Sequence, residues 1–227
     1  MAIKFIKTAS NYYTCDAGIT FPNSDWCFLI AYKINNSSGT NRQALFACST
    51  VLDEATPKFT VRYNELSFSS DPGKGTVELT DGINPRTQLR TNNQLITGVW
   101  LLGLLQRSGP NKELWIAQFG NIPTLQATSS AALGAITLAA PSYVAWQNGR
   151  TYPLDAEIAY IAQGNFALNG AQRTALARGV SPYRVRQDWT RCLPMASPAA
   201  TLRPLVGTES YTQTGSPTMV PSPFELF

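Results

Sequence analysis

Two carboxylates at alternate positions of one strand share a face, and at about 5 Å separation such a pair can act as nucleophile and proton donor on a glycosidic bond. Asp155 and Glu157 have that spacing. They stand at the mouth of the apolar run Ile158-Ala159-Tyr160-Ile161-Ala162, where the expected role is to set a turn and a strand register. Composition removes most other reactive constellations. No histidine occurs among the 227 residues, so neither a Ser-His-Asp nor a Cys-His relay can be assembled. Cys15, Cys27, Cys48 and Cys192 show no CxxC spacing and have no histidine to complete a zinc site. Buried free thiols are expected, with a Cys15 to Cys27 bridge across neighbouring strands as the alternative in an oxidising exterior. Asp71-Pro72-Gly73-Lys74-Gly75 is a turn carrying a lysine, not a phosphate-binding loop. The chain is therefore expected not to be an enzyme and to need no cofactor.

Binding chemistry is better represented. Trp100, Trp115, Trp146, Trp189, Tyr12, Tyr13, Tyr143 and Tyr152 offer faces on which rings can stack, and amide side chains are plentiful. Trp26, Trp100 and Trp115 stand among aliphatic residues and are expected in the core. Tyr143, Trp146, Gln147, Asn148, Arg150 and Tyr152 form the mixed aromatic and polar stretch expected to face a ligand. The net charge of +4 is spread along the chain, with only 14% charged residues and no basic block to neutralise neighbouring phosphates, so nucleic acid is not an expected partner. The densest basic region, Arg173, Arg178, Arg184, Arg186, Arg191 and Arg203, is expected to contact carbonyls, aromatic faces or a protein partner. No run is long enough for a membrane span, and Met1 to Lys7 is too short and interrupted for a signal peptide, so synthesis in the cytoplasm is expected.

The elements that would position these residues are mostly strands. Ile3 to Ile6 and Tyr12 to Cys15 open the chain, and Trp26 to Ile34 is apolar on both faces, as a central strand covered on both sides must be. Ala44 to Cys48 follows. Phe59, Val61, Tyr63, Leu66 and Phe68 mark one half-buried strand, with Val77 and Leu79 in the next. Val99 to Leu105 and Leu114 to Ala117 form a hairpin about Arg107-Ser108-Gly109-Pro110-Asn111. Leu133 to Leu138 and Tyr143 to Trp146 add two more strands. After Ile158 to Ala162 comes a short helix, with Asn169 as its cap, Gln172 returning the bond, and Gly179 and Pro182 ending it. Its 16 glycines and 15 prolines are scattered, as many short strands joined by turns require.

This order of parts resembles the concanavalin A-like, or laminin-G-like, jelly rolls of bacterial and bacteriophage proteins. The matching pieces are Trp26 to Ile34, Gln43-Ala44-Leu45-Phe46, Gly98-Val99-Trp100, and Leu114-Trp115-Ile116 running to Gly120. Glu157-Ile158-Ala159-Tyr160 precedes the helix that ends Leu176-Ala177-Arg178-Gly179-Val180-Ser181-Pro182. Leu205-Val206-Gly207 and Thr214-Gly215-Ser216-Pro217-Thr218 look like the closing segment of phage-type members.

The resemblance implies an all-β fold, a two-sheet antiparallel sandwich over residues 1–183 with one short helix, followed by an extended C-terminal strap over 184–227 that packs on the sandwich or a neighbouring subunit. Members that cleave glycans carry acids as Glu-x-Asp-x-Glu, which is missing here. Members that hold calcium cluster hard oxygen ligands, whereas Asp16, Asp25, Asp53, Glu54, Asp71, Asp81 and Asp155 are dispersed, so no metal site is assigned and calcium stays an alternative. The function so implied is a bacteriophage virion structural protein of the capsid, collar or tail, packing against other virion proteins and copies of itself. Arg184, Arg186, Trp189, Arg191, Phe224, Leu226 and Phe227 are its expected subunit contacts. The alternative is a lectin-like module that attaches to host surface glycan.

Overall fold

The structure, a computed structural model, describes residues 1–6, 11–15, 17–36, 38–39, 42–48, 57–67, 71–138, 141–145, 154–197, 199 and 201–225. Strands are numbered along the chain. Two antiparallel sheets form a jelly-roll sandwich. The first runs β11 (Thr124–Ser129), β10 (Asn111–Gln118), β9 (Leu101–Ser108), β4 (Trp26–Ile34), β14 (Ala156–Gly164), β1 (Ala2–Phe5) and β18 (Thr218–Val220). Strand β15 (Trp189–Pro194) pairs the same edge of β14 beyond the end of β1. The second runs β16 (Thr201–Leu202), β17 (Tyr211–Thr214), β2 (Tyr12–Cys15), β13 (Ser142–Val144), β5 (Arg42–Cys48), β6 (Lys58–Asn64), β7 (Gly75–Thr80) and β8 (Thr87–Arg90). A separate ribbon pairs β3 (Ile19–Phe21) with β12 (Ile136–Leu138).

The core explains the doubly apolar central strand. From β4, Trp26, Phe28, Ile30, Tyr32 and Ile34 point between the sheets, while Cys27, Leu29 and Ala31 point to the other face of the first sheet. Phe28 meets Phe46 at 5.0 Å and Phe59 at 4.8 Å between ring centres, so aromatic rings tie one sheet to the other, and Phe21 of the ribbon meets Trp26 at 4.7 Å. The outward residues are small or aliphatic, and they form a second apolar layer with Ala159, Tyr160 and Ala162 of β14.

That layer is covered by helix α1 (Gly170–Ala177), which buries Leu176 and Ala177. Its start is the expected capping box: Gln172 N donates to Asn169 Oδ1 and Asn169 N donates to Gln172 Oε1, each at 3.0 Å. Gly179 ends it at φ +92°, and a Cβ there would lie 2.7 Å from the Phe119 ring. A second short helix, α2 (Pro182–Val185), follows and accepts the Trp189 indole N–H on Pro182 O at 2.8 Å. Among the described residues, no helix is long and apolar enough to cross a membrane.

Several expectations are refined. The alternation through Leu66 and Phe68 does not extend β6: Asn64 and the Gly73-Lys74 backbone exchange hydrogen bonds at 2.9 Å, turning the chain into β7 and leaving Leu66 47% exposed. Phe68 lies outside the described residues. Cys15 lies in the second sheet and Cys27 on the outer face of the first, so they are not cross-strand neighbours; all four thiols are free and buried. The C-terminal segment packs on the sandwich by entering it: β15 and β18 join the first sheet, and β16 and β17 the second.

Candidate functional site

The edges of the two sheets meet where β8 lies beside β11, and Asn92 N donates to Gln126 Oε1 there at 3.3 Å. Two segments build the surface. The β8–β9 connection is pinned by Thr91 N to Gly75 O, Leu95 N to Gly73 O and Gly98 N to Ile34 O, at 2.8 to 3.0 Å, with Leu95 buried beneath it. This leaves Asn93, Gln94 and Ile96 facing outward. The β10–β11 turn is closed by Asn121 N to Gln118 O at 2.9 Å, and Gly120 N holds it to Ala177 O at the end of α1, also at 2.9 Å. Gln118, Phe119, Asn121 and Ile122 are exposed on it.

Between these segments lies a groove of about 280 Å³, lined by the amides of Asn93, Gln94, Gln118, Asn121 and Gln126 and by Ile96 and Ile122. On the other side of Gln118 opens a cleft of about 490 Å³, walled by Trp100 and Phe119 and by Pro221, Ser222 and Pro223 of the C-terminal segment. Both volumes are of the order of small-ligand sites. No charged side chain is among the described residues lining either. The side-chain amides of Asn93, Gln94, Gln118 and Asn121 hydrogen-bond to no described residue, so each keeps both donor and acceptor for a ligand. A further concavity, between the sheets, holds about 20 Å³ and is walled mainly by apolar side chains, room for a single water and no ligand.

Trp100 and Trp115, expected between the sheets, lie half-buried on the outer face of the first sheet. Strand β9 is apolar on both faces, so its composition did not select one. Trp115 is covered: the Arg173 guanidinium stacks 4.0 Å from its ring centre and donates to Leu168 O at 2.6 Å, and the indole N–H donates to Glu113 at 2.9 Å. Burial lowers the Arg173 pKa from its ordinary value. Trp100 has an open face in the cleft, with Lys33 Nζ 5.6 Å from its ring centre.

Of the residues expected at a ligand, Tyr143 is only 8% exposed, hydrogen-bonded into the second sheet between β2 and β5 and packed on Tyr12, which burial there imposes. Trp146, Gln147, Asn148, Arg150 and Tyr152 lie outside the described residues. Of the expected subunit contacts, three are instead taken up within the chain. Trp189 is buried against Phe166, Arg191 pairs with Glu209 and Gly18 O, and Phe224 fills a cradle of Trp100, Phe119 and Tyr160. Arg184 is exposed beside Glu225, Arg186 stacks on Phe166 and pairs with Asp188, and Leu226 and Phe227 lie outside the described residues. Glu157 is held by Lys33 at 2.8 Å and lines neither of these two clefts.

The groove amides were not singled out from sequence. Their signal is two amide-bearing turns, Asn92-Asn93-Gln94 and Gln118 to Asn121, each closely followed by an isoleucine.

No protein-family model matches the chain, and no curated protein is similar to it in sequence. Solved structures share its fold. A candidate carbohydrate-binding protein from Bacteroides ovatus ATCC 8483 superposes on 100% of the chain with a TM-score of 0.66 at 13% identity, and the chain spans 61% of that protein's length. The heptameric SAP-like pentraxin of Limulus polyphemus matches 78% of the chain and 81% of its own, with a TM-score of 0.52 at 12% identity. The CBM40 of the Ruminococcus gnavus IT-sialidase, bound to α2,3-sialyllactose, matches 69% and 84%, with a TM-score of 0.50 at 18% identity. At these identities the likeness is one of fold, a jelly-roll sandwich that also serves carbohydrate-binding proteins.

Proposed function

We propose that the protein is a non-catalytic carbohydrate-binding module. The observation that carries this reading is the open surface on both sides of Gln118, where the faces of Trp100 and Phe119 adjoin a row of unpaired amides. Aromatic rings stack on the C–H faces of sugars, and an amide matches a hydroxyl because each is donor and acceptor at once. The carbohydrate-binding names among structures of the same fold support the reading. A non-catalytic reading is supported by Glu157, whose carboxylate is engaged by Lys33 and lines neither cleft.

Virion packing takes the C-terminal strap as an inter-subunit element; the strap's described strands pair within the chain and Phe224 docks on its own sheet, and with the carbohydrate-binding names among structures of the same fold, glycan recognition is the better supported of the two.

A glycan array probed with the full chain tests the proposal. Binding that weakens on Phe119→Ala is the expected result, and an array without a single ligand would sink it. Oligosaccharide cleavage that Glu157→Gln abolishes would show an enzyme instead.

A further inference from the structure

We infer that the two clefts flanking Gln118 form one site for a neutral oligosaccharide of more than one unit, held without a metal ion. The inference rests on the glycan-binding reading and narrows it. Three features of the surface lead to it.

The first is charge. An acidic sugar brings a carboxylate whose desolvation must be met by a cation or by several strong donors. Among the described lining residues there is no Lys or Arg. Lys33, over the Trp100 ring, is committed to Glu157 at 2.8 Å, and Arg173 to Leu168 O and the Trp115 face. Neutral hydroxyls are what unpaired amides can satisfy with no charge left over.

The second is the donor set. Calcium demands six or more oxygen ligands, commonly with several carboxylates among them. The lining supplies amide carbonyls, the hydroxyls of Ser222 and Thr124, and no carboxylate. A sugar here is held by direct hydrogen bonds and stacking.

The third is continuity. Gln118 belongs to both clefts, so its exposed amide stands at the junction between the Trp100 and Phe119 end and the Asn93 and Asn121 end. Volumes of about 490 and 280 Å³ on the two sides offer room for successive units of a chain. A ligand that spans them passes over Gln118 and meets aromatic faces at one end and amides at the other.

The test is calorimetric titration of the full chain with neutral hexose and N-acetylhexosamine oligosaccharides of increasing length and with 3′-sialyllactose, with and without EDTA, repeated on Gln118→Ala and Asn121→Ala. Both side chains are exposed and bond to no described residue, so the variants are expected to fold as the parent does. The expected result is a neutral series whose affinity rises about tenfold or more from one unit to several, is unchanged by EDTA, and falls about fivefold in each variant, the worth of one lost hydrogen bond. Binding confined to the sialylated ligand, binding lost with EDTA, or binding that neither variant weakens would overturn this inference while leaving glycan recognition elsewhere intact. Binding of an extended peptide to the same surface, with no sugar bound, or no binding at all, would overturn both.

Discussion

Phe119 and Phe224 meet edge to face, with ring centres 5.3 Å apart and planes at 77°. Trp100 and Tyr160 complete the cradle at 5.9 and 5.8 Å. Through this contact the C-terminal segment becomes the wall of the aromatic cleft, because Pro221, Ser222 and Pro223 follow from where Phe224 is anchored. Phe224→Ala should cost about 3 kcal/mol of stability, within the range for a buried phenylalanine. Urea unfolding would show a lower midpoint at unchanged slope. An unchanged midpoint would mean that the docked ring adds nothing.

Gly179 faces the same aromatic cluster. A Cβ there would approach the Phe119 ring to 2.7 Å and Pro223 O to 3.1 Å, at a φ of +92°. Gly98, at φ +75°, has nothing within 4 Å of its missing Cβ. Gly98→Ala should therefore lose only the backbone term, about 1 kcal/mol, while Gly179→Ala loses that and roughly 1–3 kcal/mol more from overpacking. Equal melting temperatures for the two variants would contradict this account.

Asp81 ties the β7–β8 turn to the loop before β12. Burial alone would raise its pKa, but hydrogen bonds from the Asn84 backbone and side chain and from the Ile83 and Gly134 backbone outweigh it and hold the carboxyl well below the usual range. The folded pKa is depressed, so the stabilisation is present above the unfolded value of about 3.9 and is lost as pH falls toward the folded one. Asp81→Asn should cost roughly 2 kcal/mol at neutral pH, and the gap to the parent should narrow below pH about 4. A gap independent of pH between 7 and 2, measured by urea unfolding, would rule this out.

All four cysteines are buried, and burial pushes the Cys48 and Cys192 thiols up to about 12. Burial therefore keeps them protonated at pH 8, and the thiol is the unreactive form. A thiol reagent should leave the native protein unlabelled for hours and label four sites once it is unfolded. Rapid labelling of the folded chain would show that the outer layer over Cys27 and Cys192 opens.

Features governed by neighbours in the chain were legible from residue order. Asn169 and Gln172 make their reciprocal bonds within a single helical turn, and Gly179 ends the helix because its backbone adopts a conformation that other residues resist. Strand β4 announced that it is covered twice, since nine nearly unbroken apolar residues leave no wet face. The sandwich class follows from many such local signals pointing the same way.

The face on which a residue lies was another matter. Leu101 to Leu105 of β9 suits either side, so the preceding Trp100 was expected inside and stands outside, because only pairing with β4 and β10 sets which way the strand turns. The same holds for the tail, where β18 and β17 find their partners in β1 and β2 at the far end of the sequence. The candidate site is the strongest case. Asn93, on the β8–β9 connection, and Gln126, in β11, stand 33 positions apart, and they line one groove because the edges of two sheets close against each other there. Local composition specifies strands, turns and caps, whereas a groove between sheet edges exists only after long-range pairing has brought those edges together.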